Sequence, residues 1–208
     1  LYNILDNVEK SNGPVLIYSE YVTAGGTQLL EMFFRANGYG DKMAVLHADI
    51  DMKQREKIRL KYNSKNNSNG QLIKVLIGSQ VISEGINFKR IRQIHILEPA
   101  WNLSRIQQII GRGVRNRSHL DLEYNEQKVE IYKYISISEK EDNDFVFIDE
   151  IKYILSEDKD KSIKKVERLL KTIAIDCSLN RPRNIIRGVN GSRECDYDVC
   201  DYKCEGSA

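Results

Sequence analysis

Apolar and polar positions along the chain switch between two periods, and each stretch reads as one kind of element. Val15-Leu16-Ile17-Tyr18 is a continuous apolar run behind Gly13-Pro14, the mark of a strand buried in a parallel sheet. Thr27 to Asn37 sets Leu29, Leu30, Phe33 and Phe34 on one side and stops at Gly38, which predicts a helix. Ala44-Val45-Leu46 predicts a second strand ending at His47. Asp51 is placed to cap a helix reaching Tyr62, with Met52, Ile58 and Tyr62 turned inward. Residues 64–70 are polar and read as a mobile surface loop. Ile73 to Ile77 and Ile94 to Leu97 predict further strands. Asn102 caps a helix from Leu103 to about Arg115, and Val129 to Ile137 alternates like an exposed edge strand.

Strands and helices in alternation predict an α/β fold, an open parallel sheet with helices on both faces, over residues 1–137. The pattern changes at about Ser138, where a domain boundary is expected. Residues 138–208 read as an extension, mostly helical from Ile148 to Ile175 with a charged break near Glu157 to Asp160. From Ser178 the chain is poor in apolar residues and irregular.

Composition bounds the function only loosely. The chain has 208 residues, 41% of them hydrophobic, enough for one full domain with a sizeable core plus a smaller extension, or for two small domains. Its 32 basic and 30 acidic side chains leave a net charge of +2, so global charge selects no partner. Local charge is more telling. Between Phe88 and Arg117 stand seven basic residues and the single acid Glu98, a candidate anion-facing side. Glu139 to Asp160 holds nine acids against three lysines and reads as a solvated face.

No run of about 18 apolar residues predicts a membrane span, and no signal peptide is visible. A start at Leu1 without an initiator Met suggests an excerpt of a longer protein. Four cysteines, three of them between Cys195 and Cys204, do not form the spread framework of a small secreted domain, which favours a reducing compartment.

The stretch Gln108-Ile109-Ile110-Gly111-Arg112-Gly113-Val114-Arg115 carries the chemistry. At roughly 100° per residue, Arg105, Gln108, Arg112 and Arg115 fall within an arc of about 80° on a helix, with Leu103, Ile106, Ile110 and Val114 opposite. Like charges at this spacing repel, and no acid occurs between Trp101 and Arg117 to relieve them. A polyanion would. The planar guanidinium matches phosphate oxygens two at a time, and an arginine at a γ-phosphate stabilises charge that builds in phosphoryl transfer. The plain alternative is a surface helix rich in arginine. A second polar stretch, Ser79 to Asn87, follows the strand ending at Ile77, where open α/β sheets place ligands. Gly85 permits close backbone approach there.

These residues together resemble the second RecA-like domain of superfamily 2 helicases. Leu16-Ile17-Tyr18-Ser19 resembles motif IV, Ser79 to Asn87 motif V, and Gln108 to Arg115 motif VI. The resemblance implies that Arg115 is an arginine finger, with Arg112 its partner on the phosphates. It also implies that Gly85, Asn87 and Gln108 lie near bound ATP. Ser19, Ser79 and Gln80 would hold the backbone of a single DNA or RNA strand. Glu98 to Asn102 resembles the Swi/Snf-like branch. Ala174 to Asn180 resembles transcription-associated helicases of large nucleocytoplasmic DNA viruses, which include poxvirus and mimivirus members.

The resemblance therefore implies ATP with Mg2+, a first RecA-like domain N-terminal to Leu1, viral RNA polymerase as a further partner, and a place in the virion and host cytoplasm. The chain has no G-x-x-x-x-G-K-[ST] loop. Phe145 to Glu150 mimics an Asp-Glu box but follows motif VI, and reads instead as an element entry with capping acids. Alone, the fragment should be inactive.

Cys195, Cys200 and Cys204 are close enough in sequence to wrap one zinc ion with Cys177 as fourth ligand; the alternative is a Cys177 buried at a helix end. Arg181, Arg183, Arg187 and Arg193 precede the cluster as phosphate contacts or solvated surface. His47 and His95 read as structural. Against the motor stands a binding module that holds nucleic acid or a transcription partner without motor activity.

Overall fold

The computed structural model describes residues 1–83, 85–136 and 147–205. Five strands, β1 (Val15–Tyr18), β2 (Met43–Leu46), β3 (Val75–Gly78), β4 (Gln93–Ile96) and β5 (Glu130–Lys133), form one sheet in the order β2-β3-β1-β4-β5. Every pairing is parallel, with Val15 level with Val75 on one side and Gln93 on the other. β1, β3 and β4 are buried along their whole length; β1 and β3 are accordingly without polar alternation, while β4 alternates and buries its Gln93 and His95 side chains in mutual hydrogen bonding.

Helices cover both faces. α1 (Tyr2–Lys10) and α2 (Thr27–Phe34) lie on one, where Ile4, Val8, Leu30 and Phe34 pack with Val15, Ile17, Val75 and Ile77. Each such side chain contributes about 1.5–3 kcal/mol by leaving water. On the other face lies α4 (Leu103–Gly113). A Cβ on Gly113 would stand 2.7 Å from Ile91 and 3.1 Å from Ile94, so only glycine lets the helix approach this closely. α3 (Met52–Tyr62) ends beside it, with the buried Tyr62 ring edge-on to Phe88 at 5.3 Å.

Asp51 caps α3 as expected, accepting from the Gln54 amide at 3.0 Å. Met52 does not turn inward; it is fully in the first turn and exposed. The 64–70 segment is not a loose loop. Asn67 is buried and makes four hydrogen bonds, to the Tyr62 and Ile73 carbonyls and from the Leu72 and Ile73 amides. One buried amide side chain thus replaces a hydrophobic anchor, which polarity alone did not reveal. His95 is structural, as expected: it is buried, bonded to Tyr134 at 2.8 Å and Gln93 at 3.2 Å, and stacked on Tyr132.

The chain divides into two compact units, residues 1–99 with 105–150, and residues 100–104 with 151–208. The boundary expected near 138, like residues 145 and 146 of the acidic mimic, lies outside the described residues. Asp149 and Glu150 stand in the first turn of α5 (Ile148–Ile173), an element entry with acids at its positive end. α5 runs unbroken through the charged stretch at Glu157 to Asp160, where an interruption was expected. In the second unit, α6 (Cys177–Asn184) and the tail after it are tied by two disulfides, Cys177–Cys204 and Cys195–Cys200.

Candidate functional site

The predicted basic helix forms, but its register differs from the expected one. Leu103, Ile106, Ile109 and Gly113 are the buried positions, while Val114 is 47% exposed. The buried side is therefore turned by about 50° from the one expected, because Gly113 rather than Val114 meets the sheet. α4 stops at Gly113, so Arg115 lies just past its end. Gln108 and Arg115 are exposed, and Arg105 and Arg112 are half-buried.

α4 leaves the carboxyl end of β4 and runs back along the sheet, so its basic side spans two clusters rather than one. The first lies at the carboxyl edge. Arg105 Nε reaches Glu20 at 3.1 Å and the Tyr18 hydroxyl at 3.4 Å, and these contacts raise its pKa. Glu20 also accepts from the Tyr18 hydroxyl at 2.5 Å and from Gln80 Nε2 at 2.7 Å. Burial, reinforced by Glu20, holds the Tyr18 phenol protonated. Next to it Glu98 accepts from Ser19 Oγ and the Glu20 amide, both at 2.9 Å. Burial pushes the Glu98 pKa up, opposed by those two bonds.

The second cluster lies about 10 Å farther along the helix. The Phe88 amide donates to the Arg112 carbonyl at 3.0 Å, joining the end of the 79–87 loop to the end of α4. Asn63 clamps this stretch from α3, donating to the Asn87 carbonyl and accepting from the Lys89 amide, each at 2.8 Å. Gly85 has φ +78° with open space where a side chain would be. Arg115 Nε donates to the Gly111 carbonyl at 3.0 Å and makes no ion pair among the described residues.

The expected site residues thus separate. The Phe88 amide bond brings the Asn87 end of the loop to Arg112, with Gly85 nearby in sequence on an open turn and Arg115 three residues farther along the chain. Gln80 stands at the carboxyl edge beside Glu20. Ser19 and Ser79 do not face outward: both are buried, and Ser19 spends its hydroxyl on Glu98. The contacts of Glu20 and Tyr18 with Arg105 had no counterpart in the sequence reading; the one available signal was Glu98, the lone acid in a basic stretch.

The cysteines also part from expectation, both as zinc ligands and as the free thiols of a reducing compartment. Their sulfurs pair as two separate disulfides, and among the described residues no group of three or more His, Cys, Asp or Glu is placed to hold a metal. The zinc site at Cys177, Cys195, Cys200 and Cys204 is not supported. Arg193 is likewise spent internally, bonded to Asp160 at 2.8 Å, and Arg181 is paired with Asp201.

An all-parallel sheet with β1 at its centre, carrying a basic helix and two polar loops on one flank, defines a RecA-like domain of the helicase type. The chain belongs to the helicase conserved C-terminal domain family, which matches residues 1–117. It is 37% identical to "Putative helicase 009L" of Frog virus 3 (isolate Goorha), over 98% of this chain and 22% of that protein. It is 36% identical to "Putative ATP-dependent RNA helicase R563" of Acanthamoeba polyphaga mimivirus, over 89% of this chain and 33% of that one. An early transcription factor large subunit homolog of African swine fever virus (isolate Tick/Malawi/Lil 20-1/1983) is 27% identical over 84% of this chain and 19% of its own length. The chain therefore spans about a fifth to a third of these relatives. Among solved structures, the C-terminal part of the Fun30 ATPase domain aligns over 75% of this chain and 51% of that chain, at 16% identity and a TM-score of 0.49. No helix among the described residues is long and apolar enough to cross a membrane.

Proposed function

We propose that this chain is the second motor domain of a nucleic-acid-dependent ATPase of superfamily 2, acting in viral transcription inside the infected cell. The observation that carries the reading is the junction of the 79–87 loop with the end of α4, where the Phe88 amide, next to the exposed Asn87, meets the Arg112 carbonyl three residues before the exposed Arg115. ATP is the substrate. Among the described residues the arginines, Gln108, Asn87 and the Gly85 turn suit a triphosphate, and a phosphate-binding loop and metal-holding acids would come from another domain. Two cationic forks at the γ-phosphate stabilise charge that grows in the transition state. Ser19, Ser79 and Gln80, at the carboxyl ends of β1 and β3, are the candidates for contacts to a nucleic-acid strand.

The test is Arg115→Ala in the full-length protein. Loss of an arginine finger lowers kcat by about 10³-fold or more, while nucleotide affinity should change only a few-fold. Steady-state hydrolysis and nucleotide titration read the two separately. Turnover near that of the unaltered protein removes the assigned role.

A further inference from the structure

In the second unit, α5 turns its polar side toward the rest of the unit and its apolar side to water. Asp160 is buried against Arg193, at 2.8 Å, and the Tyr197 hydroxyl, also at 2.8 Å. Lys171 holds Asp196 at 2.7 Å, Arg168 lies over the Tyr202 ring at 4.7 Å, and Ser156 is buried. On the other side, Ile151, Leu155, Ile163, Val166, Leu170 and Ile173 are each 37% to 59% exposed. They fall within an arc of about 120°, a continuous stripe along the helix. Lys152 and Lys159 share that side, and their ammonium ends lie over the Trp101 ring at 5.4 and 6.0 Å.

Six such side chains expose roughly 500 Å² of apolar surface, against the about 800 Å² per partner that a standard interface buries. Single exposed apolar residues need no explanation; a contiguous stripe of this size does. The charge along the helix selects the occupant. Residues 148–160 carry five acids and two lysines, and residues 161–173 carry five basic residues and one acid. A parallel copy would set the two basic halves together. An antiparallel copy sets each acidic half against a basic one, and brings Asp158 of one helix beside Lys165 of the other on the same flank.

We propose that this stripe is the core of a homodimer in which α5 packs antiparallel on α5 of a second copy, about a two-fold axis near Ser162. Such an interface is self-complementary, since Ile151 meets Ile173 and Leu155 meets Leu170, twice each.

Sedimentation equilibrium of the 208-residue chain should show mass rising with concentration from 24.1 kDa toward twice that value. Val166→Asp with Leu170→Asp should hold it at the lower mass with an unchanged circular dichroism spectrum, because both positions are exposed in a single copy. A mixture of Leu155→Cys and Leu170→Cys chains should crosslink through a short bismaleimide, and Leu155→Cys alone should not, with the unaltered chain as blank. Mass fixed at the lower value up to the solubility limit overturns the proposal. So does a dimer that survives the two aspartates, or crosslinking of Leu155→Cys to itself.

Discussion

At the scale of single residues, burial decides which polar groups serve the fold and which remain for ligands. His95 is the clearest structural case. Burial lowers its pKa from 6.5 to about 4. The unfolded chain thus binds a proton that the folded chain refuses between those values, so stability is full above pH 6.5 and falls as pH drops toward 4. The loss amounts to about 3 kcal/mol. Urea midpoints across this range should show the decline, and His95→Gln should flatten the slope by about one proton. Arg115 differs from it: the side chain is exposed, donates to the Gly111 carbonyl and makes no ion pair among the described residues. Sequence spacing could not show that Ser19 is buried under Glu98, because a hydroxyl in a post-strand loop looks the same whether it faces water or an internal carboxylate.

At the scale of elements, the strands were legible because burial on both faces leaves uninterrupted apolar runs, as in Val15 to Tyr18. The rotation of α4 was not, because Ile109 and Ile110 are equally apolar and only a side-chain-free residue at 113 reveals which way the helix leans. The two glycines of that helix should therefore respond oppositely. Gly113→Ala drives a Cβ to 2.7 Å from Ile91 and should cost about 1–3 kcal/mol in a thermal melt. Gly111 has nothing within 4 Å of the same position, and Gly111→Ala should raise stability by up to about 1 kcal/mol through helix propensity. Equal effects would show that α4 is not seated as described.

At the scale of the whole molecule, the second unit depends on covalent ties where apolar content runs short. Cys177 and Cys204 are 27 residues apart, and closing a loop of that size stabilises by about 3 kcal/mol. Reduction with dithiothreitol should therefore expose residues after Cys177 to limited proteolysis while the sheet unit stays resistant; an unchanged digest would mean the tail holds without its bridges. The sheet unit carries a different lesson. Connections from β1 and β4 depart in opposite directions, and at that divide an open sheet ordinarily seats a small ligand. Here the Glu98 carboxylate fills the seat, held by Ser19 and the Glu20 amide. A phosphate arriving there would meet two acids. The vacancy that most such sheets keep for a guest is here tenanted by a side chain of the chain itself.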